Sequence, residues 1–310
     1  MQTTTFGKTN LSVSRLGFGS GPVGLLPTDQ QQVAHLYNFL LDQGLNLIDT
    51  GAGYGNAEQT IGQTISHRRD QYFLVSKGGG EASDLPGQPW SPKLLHAIID
   101  RSLQRLKTDH LDAMLLHSCE LSILEQGDAF NALLQARDAG KIRFAGYSGD
   151  NEAAAYAATL PETAVIETSI NICDQNNIDT VLPLCAANNI AVLAKRPLAN
   201  AAWKDLNEQP GFYKEYASDY THRLRQMNIR PHELGFPDHV EIEWPEIALR
   251  FTLSIPHVHV AIVGTTSFDN ARANIAAVRK GPLPEEAVNR LRRAFKRAEA
   301  DAGQNWLGLT

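Results

Sequence analysis

Short apolar runs alternate with helical patterns along almost the whole chain, and this alternation limits its fold more than any other feature. The runs fall at residues 15–18, 46–49, 72–76, 113–116, 144–147, 165–169, 191–194 and 260–263. Each is nearly continuous in apolar residues, as parallel strands buried on both faces are. A helical segment follows nearly every run. Thr28 is placed to cap a helix bearing Val33, Leu36, Tyr37, Leu40 and Leu41, which Gly44 can end. Ser91-Pro92 supplies a cap oxygen and then proline at the first helical position, ahead of an apolar face running from Leu94 to Leu106. Residues 128–139, 151–158, 178–187, 245–253, 269–278 and 285–300 read similarly.

Eight strand–helix units in series point to a closed (β/α)8 barrel, the TIM-barrel architecture, with an open doubly wound sheet as the alternative. The glycines at 19, 21 and 24 enclose Pro22, which spoils a dinucleotide fingerprint, and Asp49 runs straight into Thr50-Gly51. The cluster therefore reads as a turn. Ahead of the first barrel strand, residues 3–6 and 11–14 flank Gly7-Lys8-Thr9-Asn10 and predict a β-hairpin at the barrel floor. One connection is anomalous. About forty residues separate Leu198 from Trp244, with Trp203, Phe212, Tyr213, Tyr216 and Tyr220 among them. A loop of that length is usually functional. The barrel, the hairpin, this long loop after strand seven and a terminal helix use up all 310 residues as one catalytic domain, residues 1–310.

Composition narrows the function. With 43% hydrophobic and 20% charged residues, the chain has the balance of a globular protein and not of a disordered one. A net charge of -6 and no basic stripe exclude nucleic acid as a partner. No apolar run approaches the roughly 18 residues of a membrane span, so no membrane partner is expected. Cys119, Cys173 and Cys185 fit neither a zinc pattern nor a disulfide framework, and read as reduced, buried thiols. The N-terminal stretch MQTTTFGKTN lacks the apolar core of a signal peptide, so the expected location is the cytoplasm. The oligomeric state is left open, and a monomer is compatible.

In a (β/α)8 barrel the chemistry sits at the carboxyl ends of the strands. The second run ends in Asp49, with Tyr54 five residues on; the third in Ser76-Lys77; the fourth in His117-Ser118; the fifth at Ser148; the eighth in Gly264-Thr265-Thr266-Ser267. Each alone has a plain structural reading, since Asp49 can cap a turn, Tyr54 can pack, Lys77 can snorkel and His117 can sit satisfied in a core. Together they converge on one rim. A tyrosine hydroxyl with a pKa of about 10 exchanges protons poorly near neutrality. A neighbouring ammonium favours the phenolate and lowers that pKa, and an aspartate keeps the lysine charged. A histidine can then orient a substrate oxygen. Carbonyl reduction needs such a proton donor at oxygen while hydride reaches carbon, and the hydride must come from a cofactor.

These residues carry a resemblance. The stretch from Asn46 through Asp49, Tyr54 and Glu58 resembles the Asp-to-Tyr motif of the aldo-keto reductase superfamily. Val75-Ser76-Lys77 is similar to its lysine strand, and Arg101-Ser102-Leu103-Gln104-Arg105-Leu106 with Asp109 to His117 to its next helix and strand. Gly140 to Ser148, Ile262 to Ser267 and Asn274 extend the likeness over nearly the whole chain, the long loop least. The resemblance implies a nicotinamide-dependent oxidoreductase on a barrel without a Rossmann domain. It acts on a small-molecule carbonyl, with NADPH favoured over NADH as cofactor. By position it implies Tyr54 as general acid, Lys77 and Asp49 as its tuning pair, and His117 as the carbonyl-orienting residue. Ser148 and Glu167 would meet the nicotinamide carboxamide, Lys195 and Arg196 the ring or pyrophosphate, Gly264, Thr265, Thr266 and Asn270 the 2′-phosphate side, and Asn274 the adenine.

This chain departs from the family pattern at several points. Gly149 stands where asparagine is common, Glu167 where glutamine is, and Lys195-Arg196 where an aromatic often stacks on the ring. An arginine guanidinium can also stack on a flat ring. Gly264 and Asn270 replace basic residues of NADPH-specific members, and Arg272 is near but offset; Lys195, Arg196 and Arg272 together form the expected phosphate-binding cluster. Trp90 and the aromatics of the long loop are candidates to wall a substrate pocket. Two other readings differ in class. One is a slow or non-catalytic cofactor-sensing subunit of the same fold. The other is a metal enzyme using His257 and His259, whose position before strand eight places them at the amino-terminal rim, away from the chemistry. No metal site is expected.

Overall fold

A computed structural model describes residues 1–209 and 211–309, with the side chains of 211–213 left out. A two-stranded antiparallel hairpin, β1 (Thr3–Thr5) and β2 (Ser12–Ser14), precedes the barrel. The barrel strands are β3 (Leu16–Gly19), β4 (Leu47–Asp49), β5 (Phe73–Gly78), β6 (Leu111–His117), β7 (Ile142–Ser148), β8 (Val165–Ser169), β9 (Ala191–Lys195) and β10 (Val260–Val263). All pair in parallel and in chain order, and β10 closes onto β3. The eight expected runs are these eight strands, with ends shifted by up to two residues.

The pleat sorts the side chains. Leu47, Val75, Ala113, Leu115, Val165, Ala191, Leu193, Val260 and Ile262 fill the barrel interior, joined from below by Phe6 and Val13. Ile48, Leu74, Met114, Leu116, Ile166, Val192, Ala261 and Val263 face the surrounding helices. Successive residues of a strand point to opposite faces. The residues two beyond the interior layer are therefore Asp49, Lys77, His117, Glu167 and Lys195, which turn inward at the carboxyl ends of their strands. The hairpin seals the opposite end, as the sequence predicts. A 3-10 turn, Gly7–Thr9, joins its strands, and Lys8 N–H donates to Asn189 O (2.6 Å) at the foot of β9. A β-carbon at Gly7 would collide with the Ala191 amide, so glycine is required there. His259 belongs to this floor. Its Nδ1 accepts the Val192 N–H (3.0 Å), and its ring meets Phe6 edge-on. Burial holds its pKa down at about 4, so it serves as a neutral packing residue.

Several boundaries differ from expectation. Asp29, not Thr28, caps the helix Gln30–Asp42, accepting from Gln32 N–H, while the Thr28 hydroxyl donates to Val23 O. Residues 178–187 form part of two short helices, Asn176–Thr180 and Leu182–Ala187, because Pro183 suits a helix start and not an interior. The Ser91 cap stands as read, accepting from Leu94 N–H. The long connection after β9 is no bare loop. It carries the helix Gly211–Met227, and the helix expected from residue 245 begins at Val240 and accommodates Pro245 in its second turn. Cys119, Cys173 and Cys185 are buried free thiols. Among the described residues, no helix is long and apolar enough to cross a membrane.

Candidate active site

A cleft of about 540 Å³ opens at the carboxyl end of the barrel, over the five inward-turned polar residues. Its volume lies within the roughly 300–1,000 Å³ of small-molecule and cofactor sites. At its base lies Lys77, fully buried. Its ammonium binds the Asp49 carboxylate, donates to Thr50 O (2.8 Å) and lies 3.2 Å from Glu167 Oε2. Burial alone would lower its pKa, but Asp49 and Glu167 more than offset this and hold it above its ordinary value. Asp49 is raised well above the usual carboxylate range, first by burial and then by Glu167.

Tyr54 follows β4 on a tight loop, with Lys77 Nζ 5.3 Å from its ring centroid and the His117 ring edge-on at 5.6 Å. The loop is held from below. Glu58, the second residue of the helix Ala57–Thr64, is buried, accepts from Ser76 Oγ (2.9 Å) and lies 3.7 Å from Arg105. The sequence argument expects Lys77 to lower the tyrosine pKa. It does pull that way, but burial is stronger, and Tyr54 is pushed up to about 12. His117 is held at about 3 by burial and then by Lys77, Lys195 and Arg196. It is therefore neutral across the physiological range.

Strand register places Ser148 beside His117 on one side and Glu167 on the other. Ser118, in the left-handed region at φ 61°, donates its N–H to Ser148 O (2.7 Å). Gly149 has a packing reason: a β-carbon there would strike the hydroxyl of Tyr147, which donates to Cys119 O (2.8 Å). Lys195 lines the cleft but is paired with buried Asp150 (2.9 Å). Asp150 itself accepts from Thr168, Ser169 N–H and Asn177. Burial would raise Asp150, but Lys195 and these donors keep its pKa low. Arg196, at φ 56°, lies over the Tyr216 ring at 4.9 Å and donates to Leu309 O (2.6 Å).

The third member of the expected cationic cluster lies elsewhere. Arg272 is exposed, 3.6 Å from Asp269 and over the Phe39 ring, outside the cleft lining. It stands two residues past cleft-lining Asn270 on the same helix, which turns it about 200° away from the cleft. Gly264, Thr265, Thr266 and Asn270 do line the cleft, at the N-terminus of the helix Phe268–Arg279, which Ser267 caps. Asn274 lies deeper, beside Thr265 in a small void with Leu16 and Leu40. Trp90 is outside the lining; it packs on Gly79, where a β-carbon would strike its ring. Of the long connection's aromatics, Tyr216 lines the cleft. Trp203 stacks on Trp244, Tyr220 is buried against Asp174, and the side chains of Phe212 and Tyr213 lie outside those described.

Sequence reasoning missed part of the wall. Gly19, Gly21 and Pro22 border the cleft, so the glycine cluster is more than a turn. The second carboxylate on Lys77 was also missed, although Glu167 stands two residues beyond interior Val165, the same step that separates Asp49 from Leu47. The donor set fits a dinucleotide. A helix N-terminus with free amides suits a phosphate group, and Glu167 adds a buried carboxylate acceptor to the cleft wall beside Ser148.

A closed barrel with a buried lysine–carboxylate cluster, a tyrosine and a neutral histidine at its carboxyl end defines a class of oxidoreductase site. Comparison with known proteins identifies the family. The model of the Aldo/keto reductase family matches residues 15–296. The chain is similar to the uncharacterized oxidoreductase YqkF of Bacillus subtilis (27% identical, covering 94% of this chain and 95% of that one). It is also similar to the NADH-specific methylglyoxal reductase of Escherichia coli (25% identical, 90% and 94% covered). In fold it resembles the holo form of aldo-keto reductase AKR11C1 from Bacillus halodurans, with a TM-score of 0.79 and 24% identity over 95% of this chain and 96% of that one. The chain belongs to the aldo/keto reductase family. It is an NAD(P)H-dependent oxidoreductase of carbonyls and their alcohols.

Proposed function

We propose that this protein reduces a small aldehyde or ketone with Tyr54 as the general acid. The observation that carries the reading is the clustering of Tyr54, Lys77, Asp49 and His117 at the base of one cleft. A reduced nicotinamide supplies the hydride when bound. With its pKa up at about 12, Tyr54 carries its proton at neutral pH and is ready to give it to the carbonyl oxygen. The adjacent ammonium stabilises the phenolate left behind. Neutral His117 can donate one N–H to the same oxygen and fix its direction, without competing for the proton.

Ser148 is the candidate anchor for the nicotinamide carboxamide, and Thr265, Thr266 and Asn270 for the far phosphate. We propose a modest preference for NADPH. The hydroxyls and helix amides of this rim favour an anion, while the lining residues from β10 and its following helix include no cation. A small carbonyl substrate is supported by the name of the methylglyoxal reductase relative. We read residues 1–310 as one catalytic unit, and the three free cysteines support action in the reducing cytoplasm.

The test follows absorbance of NADPH and of NADH separately with aldehydes, ketones and α-dicarbonyls. Consumption of cofactor with at least one carbonyl supports the enzyme. Binding of cofactor without turnover on any would turn the reading towards a cofactor-sensing subunit.

A further inference from the structure

Lys77 answers to two carboxylates, and only one is accounted for by the proposed chemistry. Asp49 holds the ammonium directly. Glu167 adds a second buried carboxyl 3.2 Å away, 3% exposed and on the cleft wall next to Ser148. If both carboxyls are ionised, the trio carries one uncompensated negative charge. In a buried setting such a charge acts strongly on anything brought beside it. Glutamine at this position would have left the trio neutral.

We propose that Glu167 is an electrostatic partner for the oxidised nicotinamide, placing negative charge where the ring becomes cationic as hydride leaves. This rests on the placement of the ring beside Ser148. The carboxylate does not need to touch the reacting carbon. It favours the cationic ring over the neutral one, both in the bound ground state and in the transition state, where part of that charge has developed. The same pairing makes the preference depend on protonation. The Asp49 carboxyl lies within hydrogen-bonding reach of Glu167 and is held well above the usual carboxylate range, so its protonation removes the excess charge. The other groups that face Glu167 are Lys77 on β5, His117 on β6, Lys195 at the end of β9, Arg196 just after it, and Tyr54. Of these, Tyr54 and His117 hold their protonation states between pH 5 and 9, with pKa values near 12 and 3. Lys77 and Arg196 stay charged, both raised above ordinary values. Lys195 is neutralised by Asp150.

The experiment titrates the full chain with oxidised and with reduced cofactor, followed by quenching of tryptophan fluorescence. In wild type, E167Q and E167D, the quantity of interest is the ratio of the two dissociation constants. E167Q should weaken the oxidised form relative to the reduced by about tenfold, and E167D, which keeps the charge, should retain most of the wild-type ratio. An E167Q ratio within twofold of wild type overturns the inference. Wild type alone gives a second reading that needs no variant to fold. Lowering the pH from 9 to 5 should weaken the oxidised form relative to the reduced, and a constant ratio overturns the inference. Failure of either cofactor form to bind at all would instead sink the proposed function.

Discussion

Gly24 lies with its α-carbon directly against the carbonyl oxygen of Tyr54, so that a β-carbon at residue 24 would fall on top of that oxygen. Gly55, at φ 52°, meets the Gly24 carbonyl in the same way. The short helix after β3, Gly21–Leu25, and the loop after β4 are thus in backbone contact at the proposed acid. G24A should force the Tyr54 loop outward. We expect kcat/KM to fall roughly tenfold or more, given how steeply rate depends on alignment. The melting temperature should also drop, reflecting about 1–3 kcal/mol of overpacking. Activity near wild type would show that the loop tolerates displacement.

Y54F removes the hydroxyl and keeps the ring against His117. Turnover should fall by roughly 10²-fold or more, with cofactor affinity within about twofold of wild type. Stopped-flow turnover and fluorescence titration on the same preparation separate the two. Rates near wild type would exclude Tyr54 as the proton donor.

K77M tests the cluster as a structural unit. Removing the ammonium leaves Asp49 and Glu167 buried without a cation, and breaking a buried pair in this way costs about 3–5 kcal/mol. Urea unfolding should show the loss. It should be smaller at pH 5 than at pH 8, because protonation of Asp49, held well above the usual carboxylate range, relieves the repulsion. An unchanged unfolding midpoint would mean that solvent already screens the cluster.

Asp174 provides a pH test far from the reacting atoms. Its carboxylate accepts from the Tyr220 hydroxyl (3.0 Å) and from Leu309 N–H (3.0 Å). Burial, and then the charge of Asp150, push its pKa up to about 7. The folded state therefore keeps a proton that the unfolded chain releases near pH 4. This contribution is fully present below about pH 4 and is lost as pH rises towards 7. D174N has no such proton. Its stability relative to wild type should rise between pH 4 and 7, by no more than ~1.4 kcal/mol per pH unit. Parallel curves for the two proteins would show that Asp174 titrates normally.

The barrel was legible in the sequence because strands buried on both faces leave nearly continuous apolar runs, broken in β3 to β10 by a few polar residues such as Asp112, Arg143 and Glu167. Tyr54, Asp49, Lys77 and His117 were legible because each closes such a run or follows one closely. What the sequence did not disclose depends on geometry between distant segments. Arg272 lies on the helix face turned away from cleft-lining Asn270, an orientation that the sequence alone did not reveal. The second partner of Lys77 comes from β8, about ninety residues on. The tyrosine pKa was misjudged for a related reason. The lysine was visible in the sequence, but the depth of burial that outweighs it was not. The long connection hid its helix because its mixed polar face, Lys214 to Arg225, reads as loop composition.

The pleat that turns five polar residues inward also restricts how such an enzyme can change. Asp49, Lys77, His117, Glu167 and Lys195 occupy one parity of their strands, and a shift of one residue exchanges the two faces of a strand. Inserting or deleting a single residue within β5 would send Lys77 towards the helices and leave Ser76 or Gly78 in its place, without an ammonium. Substitution at these few addresses alters the chemistry of the cleft while leaving the pleat intact. Changes of length are confined to the connections, of which the one after β9 is the longest.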